Sequence, residues 1–419
     1  MAHNNVGPLS GLKVIDLTHV MAGPVCTLLL ADLGAEVIKI ERPPEGDDSR
    51  HMAPPYIGEE SAAYLIVNRH KRGIVLNLKH ESGREALLRL LEHADVLVEN
   101  YRGGTLEKLG LGYDLLSKRF PSLFWCSISG YGRTGPYADR PGFDLMAQAM
   151  SGIMSFTGEG PGRPPVKTGA PVADITAGIL GALGVVAAVA HRQRTGEGQR
   201  VETSLFEAAI THTFWQSAIC FATGTSPGPL GSAHPLDAPY QAFETADGWV
   251  VIGAANQANW LRFAKTIDRP DLAADPRFRN NVERMRHFDA LIAAVTPEMR
   301  KRSTQEWVAT LDAAGVPVSP VLNVGEMHKD PQAIARGMIA EVTHSVLGPV
   351  KTLGNPLKFS KTPVDLGAGA PVLGEHTREV LLAHGYYAAE IDALVAAGAI
   401  QCAEAGDAKL HVKVKDAVP

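Results

Sequence analysis

Several protein classes are excluded by what this chain of 419 residues lacks. Its four cysteines, Cys26, Cys126, Cys220 and Cys402, form no C-x-x-C pair and lie far apart in mostly apolar surroundings. They read as reduced core side chains rather than a disulfide framework or a zinc ribbon. Fifteen histidines include no H-E-x-x-H or comparable ligand spacing, so no metal site is expected. A basic excess is missing too: the net charge is −5, which gives no overall field for nucleic acid or an anionic membrane. The opening residues, MAHNNVGPLSG, have neither the basic head nor the apolar h-region of a secretory signal. The longest apolar segment, Ile179 to Ala190, is too short to span a bilayer. These absences together predict a soluble cytoplasmic protein.

What is present is ordinary globular material, 45% hydrophobic and 20% charged, enough for a sizeable core and about two domains. From Gly11 to Ser129, β-branched runs alternate with helical ones, as in a parallel α/β sheet. LKVIDLT, AEVIKIE, GIVLNL, DVLVEN and SLFWCSIS read as strands, and AGPVCTLLLADLG and REALLRLLEHA as helices. A helix follows from Ile175 to about Arg194, then QRVETSL as a half-buried strand and FEAAITHTFWQSAICFATG as one long helix. The Pro- and Gly-rich stretch 225–239 reads as a linker, and YQAFETADGWVVIGAA as a hairpin turning at Asp247-Gly248. The expected organisation is a large domain over 1–225, a small α+β domain over 226–325, and a segment 326–419 that completes the large domain.

The first strand-turn-helix of an open α/β sheet is its natural anion site. Here that turn is THVMAGP, not G-x-G-x-x-G, which argues against a dinucleotide held in the NAD manner. Cations recur after the strands: Arg42 after the second, Lys79 after the third, Arg102 and Lys108 after the fourth. In a parallel sheet those ends share one edge, so the charges could converge on one polyanion; scattered surface cations are the equal alternative. Asp174, in TGAPVADITAG, sits where a Pro/Gly-rich loop becomes an apolar helix. An N-cap accounts for it, and a nucleophile does too, with the helix dipole holding its pKa down.

The segments PLSGLKVIDLTHVMAGP, LADLGAEVIKIERPPEGDDSR, NRHKRGIVLNLK, DVLVENYRGGTLEKLGLGYD, SISGYGRTGPYADRPGFDLMAQAMSG, TGAPVADITAG and PVLGEHT, in this order, resemble the class III CoA-transferases of the CaiB/BaiF family. That family includes formyl-CoA transferases, carnitine CoA-transferases and 2-methylacyl-CoA racemases. The resemblance runs from about Leu9 to Ile400. It implies a Rossmann-like large domain built from both chain ends and an interlocked homodimer. It implies acyl-CoA as a substrate, a carboxylic acid acceptor, and no tightly bound cofactor or metal.

By the same resemblance Asp174 is the nucleophile, passing through an acyl-aspartyl anhydride and an aspartyl-CoA thioester. CoA would contact Val20, Met21 and Ala22, then Arg42, Leu76, Asn77, Lys79, Asn100, Tyr101, Arg102 and Lys108, while Arg140, Phe143 and Asp144 line the pantetheine channel. A Gly-rich loop is a candidate lid.

Two departures bear on substrate. Phe143 stands where racemases carry a histidine, leaving no base for proton exchange at the acyl α-carbon. Met21 replaces the first-turn glutamine of formyl-CoA transferases, and GSAHPLDAPYQAF lacks their glycine run, which disfavours formate and oxalate and favours a short dicarboxylyl donor such as succinyl-CoA. His19 and His234 read as acceptor-binding or structural, the second being favoured. Glu159 reads as solvated, and Met146, Met150 and Met154, at helical spacing, as core. The alternatives to transfer are racemisation and non-catalytic CoA binding.

Overall fold

Five runs of β-branched and aliphatic residues form strands buried at nearly every position, as a sheet covered on both faces requires. They are β1 (Lys13–Asp16), β2 (Glu36–Glu41), β3 (Arg72–Leu76), β4 (Val96–Glu99) and β5 (Phe124–Ser129); β6 (Arg200–Ser204) alternates exposed and buried as an outer strand does. In the computed structural model, which describes residues 7–403, these six pair in parallel in the order β3-β2-β1-β4-β5-β6. The short strand Ile400–Gln401 adds antiparallel to the β3 edge. The order reverses between β1 and β4, and the crevice beyond the carboxyl ends of strands at such a switch point is where open α/β sheets bind ligands.

One face of the sheet is covered by the helices Glu81–Leu91, Thr377–Ala383 and Ala388–Ala396 through Leu87, Leu90, Val380, Leu381 and Ile391. The helices that matter for the site are α1 (Ala22–Asp32), α2 (Asp144–Met150), α3 (Val172–Thr195) and α4 (Leu205–Thr211). The α3 helix stops where Gly196, at φ +77°, donates its N–H to the Arg192 carbonyl, a left-handed C-terminal cap. It packs through small residues. A Cβ on Gly178 would sit 2.6 Å from the Ala22 carbonyl oxygen, and one on Gly181 3.2 Å from Cys26 Sγ. Contacts that advance together along both helices mean that α1 and α3 run parallel.

At 24 residues, with a mean hydropathy of 2.1 over an 18-residue window, α3 is long and apolar enough to cross a membrane, contrary to the sequence expectation; the helix runs beyond the apolar segment Ile179 to Ala190 through polar residues at both ends. Its Ala173, Ala177, Gly178, Gly181, Ala182, Val185 and Ala188 are nevertheless buried in this domain. The expected long helix after β6 is two, α4 and Phe214–Thr223, since the Thr211 and Thr213 hydroxyls bond back to the Ala208 and Ile210 carbonyls at the break.

The chain divides into two units. The first takes the stretches up to Ile153, Lys167–Trp215 and from Gln332 onward; the second takes Met154–Val166 and Gln216–Pro331. The division therefore differs from the expected 226–325 at both ends and in assigning Met154–Val166 to the second unit. There, Tyr240–Glu244 and Trp249–Gly253 form the hairpin, closed by the Thr245 N–H on the Gly248 carbonyl, and Val318–Pro320 adds a third antiparallel strand. Its core is built on Trp260, Phe263, Phe278, Leu291 and Trp307. Arg284, fully buried, donates to the Ala238, Ala255 and Phe278 carbonyls and to Gln257 Oε1, and burial pulls its pKa down to about 10.

Candidate active site

The β1–α1 turn lies at the switch point, and side chains hold its backbone on several sides. Asp16, fully buried, accepts the Thr18 N–H and hydroxyl on Oδ1 and the Thr27 hydroxyl and Lys71 Nζ on Oδ2. Asn100, just past β4, accepts the His19 N–H at 3.0 Å and donates to the His19 carbonyl at 2.8 Å, tying the turn across the crevice. The His19 ring meets Tyr101 edge-on at 5.4 Å, and burial lowers its pKa, which suits a packed neutral imidazole. Met21 makes no side-chain cap at the start of α1, and among the described residues no side chain accepts the first N–H groups of that helix.

The parallel sheet carries the ends of β3, β2, β1 and β4 along one edge in that order, so Lys79, Arg42, the turn and Asn100–Arg102 succeed one another there. Lys79 and Lys108 are exposed. Arg42 is exposed and pairs with Asp48. Arg102 is committed through Nε and Nη2 to the Asp139 carbonyl. The Leu76 side chain is core, 1% exposed, and Asn77 donates to the Gly398 carbonyl, so at these two positions the chain already occupies groups expected at the ligand. Arg140 stacks on Tyr137, and Phe143 is 69% exposed at the start of α2. His234, in the second unit, stacks on Tyr240 at 5.2 Å with Nδ1 3.4 Å from Asp237.

Asp174 is not the N-cap. Pro171 occupies that position, and Asp174 is the third residue of α3. The carboxylate that caps α3 is Asp144, whose Oδ1 accepts the Ala173 N–H at 2.8 Å and, more distantly, the Asp174 N–H at 3.4 Å. Asp144 is aimed by Gln148, fully buried, which donates to its Oδ2 at 2.6 Å and accepts the Thr168 N–H and hydroxyl on Oε1. The loop before α3 is thereby welded to α2. Among the described residues no hydrogen bond reaches the Asp174 carboxylate. Burial, and then the charge of Asp144, raise its pKa from 3.8 to about 7, the reverse of the lowering expected from the helix dipole. Asp174 precedes Gly178 by one helical turn on the same face, and Gly178 packs on Ala22, so the carboxylate lies beside the β1–α1 turn.

A desolvated, unpartnered carboxylate next to an anion-receptive turn is an arrangement for covalent chemistry on an acyl group carried by a phosphorylated ligand. The sequence pattern of CoA-transferase family III matches residues 9–377. The chain belongs to that family.

This CoA-transferase is 36% identical over 378 residues to the succinyl-CoA:glutarate CoA-transferase of Homo sapiens, covering 90% of this chain and 86% of that one. It is 42% identical over 356 residues to the acetyl-CoA:oxalate CoA-transferase of Acetobacter aceti, covering 84% and 90%. The fold superposes on a crystal structure of a CaiB/BaiF family protein from Brucella suis with a TM-score of 0.82 at 38% identity, over 90% of this chain and 99% of that one. Enzymes of this family use CoA thioesters as substrates. Sequence reading missed Gln148 and the capping role of Asp144, because their target is reached only by folding; the spacing of Asp144 and Gln148, one helical turn apart, was the available signal.

Met146 and Met150, expected in the core, are 47% and 42% exposed. They share the surface of the first unit with Ile179, Leu183 and Ile210 on neighbouring helices. Glu159 is solvated, as expected.

Proposed function

We propose that this CoA-transferase moves CoA between a short acyl-CoA, succinyl-CoA or a near homologue, and a free dicarboxylic acid, with Asp174 as the covalent carrier. The observation that carries the reading is the carboxylate of Asp174, half-buried, with no hydrogen bond among the described residues and beside the β1–α1 turn. An oxygen of Asp174 attacks the thioester carbonyl; the C–S bond breaks, and CoA thiolate leaves an acyl-aspartyl anhydride. The thiolate attacks the aspartyl carbonyl, expelling the donor carboxylate and forming an aspartyl-CoA thioester. The acceptor carboxylate attacks that thioester, and the thiolate then takes the acceptor acyl group from the new anhydride, restoring Asp174. No step consumes a proton or water, and thioester and anhydride are of comparable transfer potential, so one hard exchange is divided into easier ones.

A pKa of about 7 makes Asp174 more basic, and so a better nucleophile, than a solvated carboxylate while leaving about half of it ionised at neutral pH. CoA would lie over Val20, Met21 and Ala22, with Arg42, Lys79 and Lys108 near its phosphates and Asn100, Tyr101 and Arg102 on the far side of the crevice. Arg140, Phe143 and Asp144 would face the pantetheine arm. The relatives named for glutarate and oxalate support a dicarboxylate acceptor of two to five carbons, and the second of them keeps oxalate among the acceptors to be tested. Phe143 offers no base for racemisation. The exposed apolar side chains on α2, α3 and α4 support a second copy of the chain as partner.

The test is to incubate enzyme with succinyl-CoA and hydroxylamine and locate the hydroxamate by mass spectrometry, then to screen dicarboxylic acceptors. Modification at Asp174 and loss of at least about a thousandfold in transfer by D174A are expected, of the size seen when a nucleophile is removed. Normal transfer by D174A would refute the reading.

A further inference from the structure

The β1–α1 turn is held in a conformation that its own sequence resists. Val20 has φ +69°, the left-handed region, which a β-branched residue rarely enters and which glycine enters freely. Its N–H donates to Asp47 Oδ1 at 3.0 Å. The other oxygen of Asp47 takes Lys39 Nζ at 2.7 Å, and Lys39 also donates to the Thr18 carbonyl at 2.8 Å. The side chains of Lys39 and Asp47 are 0% and 1% exposed. Asp47 is itself fixed, its N–H on Glu41 Oε2 and its Oδ1 receiving the Ser49 N–H and hydroxyl.

A fold in need of stability alone has simpler choices here. A buried ion pair is a weak stabiliser against apolar residues of the same volume, and glycine at position 20 would remove the strain. Both costs are instead incurred at one place, the switch point of the sheet, where strained backbone is a mark of a functional constraint. Immediately after Val20 come Met21 and Ala22, whose N–H groups open α1 without a side-chain cap.

We propose that Asp47, held by Lys39, is a positioning residue for CoA: it locks Val20 in the left-handed conformation that points the N–H groups of Met21 and Ala22 at the ligand. The inference rests on the reading that CoA occupies this turn. Asp47 touches no reacting atom, so its contribution is to affinity rather than to the covalent steps.

The experiment is a double-mutant cycle read by titration calorimetry with CoA and by steady-state kinetics on the full chain. D47A is combined with K39M so that no ammonium is left buried without a partner. In the Val20 background the pair of substitutions should raise the CoA Kd about tenfold, the factor equivalent to about 1.4 kcal/mol and within the cost of one residue in the left-handed region. The acyl-CoA KM should rise with it, while kcat changes by less than about threefold. In the V20G background the same pair should change Kd by less than about threefold, because glycine holds the conformation unaided. Equal losses in both backgrounds, or no loss in the first, would overturn the proposal; if D47A/K39M does not fold, D47L/K39M, which refills the volume without offering Val20 an acceptor, carries the same comparison. M21W, which fills the turn, separates this from the reading beneath it: unchanged CoA affinity in M21W would place the ligand elsewhere, whatever Asp47 does.

Discussion

Replacing Asp174 by asparagine should stabilise this enzyme, by a margin that grows as pH rises from about 4 to about 7. The carboxyl has a pKa of about 7 in the folded protein against 3.8 when solvated, through burial first and Asp144 second. A folded pKa above the unfolded one means that the folded state binds the proton more tightly. The contribution is complete below about pH 4 and is lost as pH rises through about 7. The rise from 3.8 to about 7, at ~1.36 kcal/mol per pH unit, bounds the cost of the ionised form at about 4 kcal/mol above pH 7, and partial hydration of the half-buried group reduces it to about 2 kcal/mol. An amide of the same shape escapes this cost. Thermal unfolding of ligand-free wild type and D174N between pH 4.5 and 8.5 should show midpoints that nearly coincide at the acid end and separate by roughly 3 °C at the alkaline end. A gain independent of pH, or no gain at pH 8, would refute the assignment of Asp174 as a desolvated, unpartnered carboxylate.

The same group should govern the rate. The kcat/KM for acyl-CoA, followed by thiol release or mass spectrometry, should rise with pH to a plateau with its midpoint near 7, and D144N should move that midpoint to lower pH by removing the neighbouring charge. Q148A, which frees Asp144 and the Thr168 loop, should lower kcat more than about tenfold while the calorimetric CoA Kd stays within about twofold, because the groups displaced position the carboxylate and not the nucleotide. Gly178→Ala should cost about 1–3 kcal/mol in chemical denaturation, since its methyl would meet the Ala22 carbonyl at 2.6 Å, and should impair transfer more than CoA binding.

Much of the large domain could be read from residue order. β1 to β5 are legible because strands buried on both faces appear as continuous β-branched runs, and Gly34, after α1, marks where that helix must stop. Asp174 was conspicuous as a lone charge at the edge of an apolar helix, yet its state was not. The helix begins three residues earlier than its periodicity indicates, and the carboxylate that caps it lies 30 residues upstream of Asp174. Whether a carboxyl is solvated depends on packing that no local pattern records. Lys39 and Asp47 look in the sequence like any surface charges and become a buried pair only when β2 is laid beside β1. The break between α4 and the following helix was hidden because side-chain hydroxyls, not glycine or proline, interrupt an unbroken apolar rhythm.

Gly178 lets α3, which bears Asp174, and the β1–α1 turn, on a remote stretch of chain, share a fixed gap, and the gauge of that gap is a single hydrogen atom. Reaction across it tolerates little error, since a displacement of about 1 Å can slow an aligned exchange by about a hundredfold. Any larger residue at this point would push the first helix away from α3, so this one position sets whether Asp174 and the turn keep their separation.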